Sequence, residues 1–157
     1  MKYFIRPAED WLGAFLAMLL TLAVIACISS CEPAHAEPSE VVLQTIAMES
    51  GGESLEGQAW VAKTIQTRSK RGKISPQDVV LRPKQYSCWN SPKWAKAWLA
   101  RHYGLKARGG AVIAWNRALK LPYQVTHYHT IDIKPYWAVG HIPKVVVGRH
   151  AFYDDVK

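Results

Sequence analysis

The hydrophobic period of this chain changes at Pro122, and that change restricts the folds open to it. Before Pro122, apolar residues recur every three or four positions between glycine and proline breaks, as in helices with one buried face. After it, 124–130 and 144–153 are rich in Val, Thr, Tyr and His with signs of alternation, which predicts strands. The intervening 131–143 contains Pro135, Gly140 and Pro143 and reads as a loop or broken hairpin. Helices first and strands last predict an α+β fold, a helical body with a small antiparallel sheet from the C-terminal third.

Caps mark the helix starts. Ser39 precedes a segment with Glu40 in its first turn, and Gly51-Gly52 stops that segment. A second helix is predicted from Ser54 to about Ser69, with Leu55, Ala59, Ala62 and Ile65 on its buried face. Ser75-Pro76 and Ser91-Pro92 each pair an N-cap with a proline at the first helical position. Gly109-Gly110 is expected to separate the Ser91 helix from another over 111–119. Trp60, Trp94, Trp98 and Trp115 fall at helical positions and are expected in the core, and His102 on the surface.

The N-terminus predicts export. No charge occurs from Trp11 to Cys31, and Ala34-His35-Ala36 offers small residues at signal-peptidase spacing. Cleavage after Ala36 would leave 37–157 as one domain. Two alternatives keep a tether: a loose lipobox ending at Cys27, or an uncleaved membrane anchor through 11–31, since about 20 apolar residues cross a bilayer. All three place the domain outside the cytoplasmic membrane.

Without residues 1–36, eighteen of the twenty Lys and Arg remain against nine of the twelve Asp and Glu, a formal charge of +9. A basic exported domain is drawn to polyanions such as an acidic bacterial wall, and export argues against nucleic acid as the partner. Of the cysteines only Cys88 would remain, so no internal disulfide supports the fold. A nucleophilic Cys88 is weighed against a small buried apolar residue, the commoner state of a free cysteine. Composition does not set the oligomeric state; a monomer is expected.

The chemistry centres on Met48-Glu49-Ser50-Gly51-Gly52-Glu53, followed by Leu55-Glu56-Gly57-Gln58. Two carboxylates flank a glycine break between helices, and a glutamate turned into a cleft and sheltered by apolar neighbours can keep a proton at neutral pH. Two glutamates near a turn are more often a solvated surface. The remaining motifs are Gln85-Tyr86-Ser87-Cys88-Trp89-Asn90, Thr126-His127-Tyr128-His129, Pro135-Tyr136-Trp137-Ala138 and Val147-Gly148-Arg149-His150-Ala151-Phe152-Tyr153.

In this order and at these intervals, the motifs resemble the SleB/CwlJ-type cell-wall hydrolases, from about Val42 to Tyr153. The resemblance implies a lysozyme-like fold, peptidoglycan as substrate, and the first glutamate of the pair, Glu49, as the catalytic residue. It also implies, for several members, lytic transglycosylation, in which one carboxyl suffices because the sugar's own hydroxyl attacks. A hydrolytic muramidase would need a second carboxylate. One departure is Thr67-Arg68, where the family has Asn-Arg, and it puts in doubt a structural hydrogen bond.

Glu49 is therefore the expected general acid. Glu53, Gln58, Tyr86 and Trp89 are candidate substrate-binding residues, as are His127, Tyr128, His129 and Trp137, with Trp89, Trp137 and the tyrosines as stacking walls for sugars. Arg149 could meet a stem-peptide carboxylate, although a solvated edge charge is its commoner role. Gly148 is expected to allow close backbone approach in the last strand. No cofactor or metal is expected. The rival reading places zinc on His127 and His129, an H-x-H on one strand face, as in an amidase or endopeptidase, but no H-E-x-x-H or Cys pair accompanies them. A wall-binding module without catalysis is the further alternative.

Overall fold

A computed structural model describes residues 37–154 and 156. The expected export signal or anchor, the Ala36 cleavage site and Cys27 lie outside the described residues. The helical body comprises α1 (Glu40–Ser50), α2 (Leu55–Gly72), α3 (Pro76–Leu81), α4 (Pro92–His102) and α5 (Leu105–Leu119). A 3-10 turn at Ser87–Trp89 separates α3 from α4. Strands β1 (His127–Thr130), β2 (Val145–Val147) and β3 (His150–Tyr153) follow, and a second 3-10 turn, Tyr136–Ala138, lies between β1 and β2. The expected α+β arrangement is the one observed.

Caps explain most of the helix starts. Ser54 Oγ accepts from Gly57 N at 3.2 Å to open α2, and Ser75 Oγ accepts from Asp78 N at 3.1 Å to open α3. Ser91 caps α4 in the same way, accepting from Trp94 N at 3.4 Å. Ser39 precedes α1 but makes no side-chain cap bond. Glu40 in that first turn instead accepts from Tyr103 and Arg108, tying α1 to the start of α5. α2 runs one turn beyond Ser69 and ends at Lys73, which takes the left-handed conformation.

Two expectations change here. Gly109-Gly110 lies inside α5. Gly110 backs directly onto α2, where a Cβ would stand 3.5 Å from Gln58 Oε1, and Ala111, Ala114 and Ala118 are fully buried on the same side. The glycines thus continue the helix, and Gly110 lies on the side that packs on α2. Trp94 is about half exposed and not in the core, whereas Trp60 and Trp115 are buried. Gly51-Gly52 ends α1 as expected; Gly51 stays right-handed, with φ −62°, and a Cβ there would come within 2.4 Å of the Ala47 carbonyl oxygen, so glycine answers a need for space.

The sheet order is β1-β3-β2, antiparallel throughout. The single strand expected over 144–153 is a hairpin: Val147 pairs with His150, leaving Gly148-Arg149 as a two-residue turn. Gly148 has φ +55° while Arg149 keeps negative φ, the glycine-first pattern of a type II′ turn. In β1 and β3, Tyr128 faces Phe152 and Thr130 faces His150, while His127 faces Tyr153 and His129 faces Ala151. Because side chains alternate, the first two pairs share one face and the second two share the other.

The inner face meets the helices. Phe152, fully buried, joins Trp60, Val61 and Val125 in a cluster. The larger core lies among the helices, with Val42, Leu43, Ile46, Ile65 and Tyr86 at its centre. On the outer face, Ala138, Ala151 and Tyr153 form a smaller cluster beneath Trp137. Thr67 fills the family's asparagine position with a bond of its own: it is buried and donates to Gln124 Oε1 at 3.0 Å.

Candidate active site

Glu49 lies in the last turn of α1 and reaches across to the sheet. Tyr128 hydroxyl donates to its Oε2 at 2.9 Å. Its Oε1 accepts from the Cys88 backbone N–H at 3.0 Å and from Ser87 Oγ at 3.2 Å. Half-buried Glu49 is thus clamped by polar donors, where an apolar wall was expected. Burial, and then the Glu49 charge, hold the Tyr128 phenol far above its ordinary range, so it keeps its proton. A carboxyl has about four acceptor positions. Three are engaged, which leaves about one for a substrate atom.

Glu53, just beyond the glycines, is held by the other strand. Its Oε2 accepts from Arg149 N at 3.3 Å, and its Oε1 lies 3.6 Å from His150 Nδ1. Only 11 % of its side chain is exposed. The carboxylate occupies the space that a Cβ on Gly148 would fill, 1.9 Å from Oε2. The close approach expected at Gly148 is therefore made by a carboxylate. Burial lowers the His150 pKa, against the opposing pull of Glu53 and then Glu49. The His150 ring stands edge-on to Tyr128 at 5.4 Å. Glu49, Tyr128, His150 and Glu53 form a chain of contacts from one glutamate to the other through the inner face.

A cleft of about 770 Å³ opens beside this chain, walled by Gly51, Glu53, Gln58, Trp98, His102 and Ile113 among others. Gln58 donates through Nε2 to the Glu53 carbonyl at 3.1 Å. Trp98 and His102, one turn apart on α4, pack with ring centroids 5.2 Å apart. Trp98, expected in the core, is half-buried at the cleft, while His102 is exposed as expected and lines the same cleft. Glu49 is not in the wall, though its neighbours Ala47 and Gly51 are.

The other candidates neither line this cleft nor hydrogen-bond to Glu49. Tyr86 is 2 % exposed and sits in the core, its face covered by the Arg68 guanidinium at 5.5 Å, so no sugar can stack on it. Trp89 packs on the core and donates Nε1 to Thr45 Oγ1 at 2.9 Å. His127, His129 and Trp137 are on the outer face of the sheet, opposite to Tyr128, with Trp137 against both imidazoles at 5.2 and 5.5 Å. Strand alternation makes the separation obligatory: residues on either side of Tyr128 must point away from it.

The outer face also fails to make a zinc site. His127 Nδ1 meets Thr126 Oγ1 at 3.0 Å. His129 Nδ1 lies 2.8 Å from the Thr130 carbonyl, which can only accept, so this nitrogen carries hydrogen, and its Nε2 meets Tyr153 hydroxyl at 3.0 Å. Among the described residues, no three His, Cys, Asp or Glu side chains gather where they could hold a metal. Cys88 is buried, and burial followed by the nearby Glu49 charge pushes its thiol pKa well up, which removes it as a nucleophile. Its contribution is the backbone N–H. Arg149 pairs with Asp132 at the surface.

A family model described as Cell Wall Hydrolase matches residues 52–153. The chain belongs to the cell wall hydrolase family. Its substrate class is accordingly peptidoglycan, and the SleB/CwlJ-type resemblance read from the motifs holds. The matched stretch contains Glu53 and the sheet and begins after Glu49. Among solved structures, the catalytic domain of the SleB protein of Bacillus cereus is similar over 80 % of this chain and 100 % of that one, with a TM-score of 0.55 and 17 % identity. At that identity the likeness speaks for the fold. A search of curated proteins found no match.

Proposed function

We propose that this cell wall hydrolase is exported and cuts the glycan strand of peptidoglycan, with Glu49 as general acid. One observation carries the reading: Glu49 is fixed by three donors while about one acceptor position stays open. Of those donors, only the Cys88 amide must always donate. The Tyr128 and Ser87 hydroxyls can turn and accept, so the network can hold Glu49 either protonated or ionised. Glu49 would give its proton to the glycosidic oxygen as the bond to the anomeric carbon breaks and positive charge develops there.

In the transglycosylase form, which we favour, the primary hydroxyl of the same sugar attacks the anomeric carbon. Its proton passes to the Glu49 carboxylate, which restores the acid and leaves an anhydro end. Glu53 and Gln58 would bind the strand along the cleft, with Trp98 as a stacking surface. A hydrolytic reading is favoured by one observation: Glu53, a second carboxylate linked to Glu49 through His150 and Tyr128, lines the cleft and could activate water.

Digestion of purified sacculi followed by mass spectrometry of the ends separates these. Anhydro-muramic ends support transglycosylation and reducing ends support hydrolysis. Released stem peptides without new glycan ends would refute both.

A further inference from the structure

We propose that a hollow at the C-terminal end of α2, between Arg68, Arg71, Arg82, Gln85 and His127, is a second substrate site that takes a carboxylate of the wall polymer's stem peptide. The proposal rests on the reading of the chain as a peptidoglycan-cutting enzyme, and it concerns the part of the polymer that glycan chemistry leaves unused. The hollow measures about 420 Å³, within the size range of small-ligand sites.

Its charge is one-sided. Among the described residues its wall has three guanidinium groups and no carboxylate. Among the described residues, the Asp154 carboxylate pairs with Arg71 through contacts of 2.8 and 2.9 Å. Arg82 is exposed and, among the described residues, has neither a hydrogen bond nor an ion pair from its side chain; the same holds for the Gln85 amide. Arg68 is only partly satisfied. Its Nε donates to the Thr126 carbonyl at 2.6 Å, but Nη1 is buried with no acceptor. A buried charged donor without a partner is costly, and a shift of the side chain toward an acceptor in the hollow would recover that cost.

Guanidinium groups suit carboxylates because their planar forks can grip both oxygens. Peptidoglycan presents carboxylates on short peptides branching from alternate sugars, so a glycan strand at Glu49 brings them along. One segment borders both places: Gln85 lines the hollow, while Ser87 and Cys88 hold Glu49. A stem held at Arg82 would therefore set the register of the strand across the acid.

The test is binding, read apart from cleavage. The isotope-labelled protein is titrated with a synthetic stem tetrapeptide bearing free carboxylates, with its fully amidated form, and with inorganic phosphate. The acidic peptide should shift the amide signals of Arg82, Gln85 and His127, and the amidated form should bind at least tenfold more weakly. Arg82→Ala, an exposed change that leaves the core alone, should weaken the acidic peptide about tenfold, with Arg82→Lys intermediate and the melting temperature unchanged. Equal binding of acidic and amidated peptides, shifts confined to the Trp98–His102 cleft, phosphate binding as tight as the peptide, or no effect of Arg82→Ala would overturn it. Glu49→Gln should retain peptide binding. A wild-type protein that binds the peptide but leaves glycan intact would refute the glycan-cutting reading and leave this site standing.

Discussion

The two faces of the three-stranded sheet carry similar residues and make quite different contacts. On the inner face, Tyr128 and His150 touch the two glutamates that flank Gly51-Gly52, and Phe152 is sealed against Trp60. On the outer face, His127, His129 and Tyr153 gather around Trp137 and meet no glutamate. A histidine is present on both, so residue type does not tell them apart. The alternation of the strand does, since a displacement by one position reverses every side chain.

Several changes would break or sharpen this contrast. The largest should come from the buried inner face: Phe152→Ala, at a fully buried position, should cost about 3–5 kcal/mol. Trp137→Ala, at a half-buried outer position, should cost clearly less. Urea midpoints at constant slope decide it, and equal losses would contradict the contrast.

Next is the hairpin turn. Gly148→Ala would place a Cβ 1.9 Å from Glu53 Oε2 on a backbone with φ +55°. The expected loss is about 1–3 kcal/mol, the scale of a strained φ and ψ. Added to Glu53→Ala it should cost less, because the collision is removed and only the backbone strain remains. Strict additivity in that double-mutant cycle would mean that Glu53 does not press on the turn.

Tyr128→Phe keeps the ring and removes one donor to Glu49. We expect kcat to fall about tenfold, or about 1.4 kcal/mol, with KM nearly unchanged. His129→Phe on the outer face should leave kcat alone. A reversal of the two effects would move the active face.

The smallest effect is on pH. Burial holds the folded His150 pKa below its ordinary 6.5, and burial lowers His127 likewise. The unfolded chain therefore binds these protons more readily. Their stabilising contribution is complete above pH 6.5 and is lost as pH falls through the folded values, at no more than about 1.4 kcal/mol per pH unit for each group. Melting temperatures between pH 7.5 and 5 should fall, and His150→Asn should flatten that slope.

Much of this was legible in the sequence. Serine caps and Ser-Pro pairs located the helix starts to within a residue or two, because a cap is a local interaction. The change of period at Pro122 placed the sheet. What was not legible depends on contacts far apart in the chain. Gly109-Gly110 reads as a break, and only the packing of α5 on α2, with Ala111, Ala114 and Ala118 buried, shows that the helix runs through it. Val147-Gly148-Arg149-His150 reads as a continuous strand, although glycine at the first central position of a type II′ turn was an available signal. The H-x-H motif was correctly placed on one face, but the motif alone does not say which face meets the helices. Alternation with Tyr128 held the answer once Tyr128 was seen against Glu49. The Cys88 amide could not be found from residue type, since any residue supplies a backbone N–H.

The most direct measurement is the rate of glycan-end formation on purified sacculi by Glu49→Gln, an isosteric change that removes the transferable proton. We expect a fall of at least about a thousandfold, within the range for general acid catalysis, with wall binding and melting temperature close to those of the parent. If the variant folds, binds the wall and still forms glycan ends at the parent rate, Glu49 is not the acid.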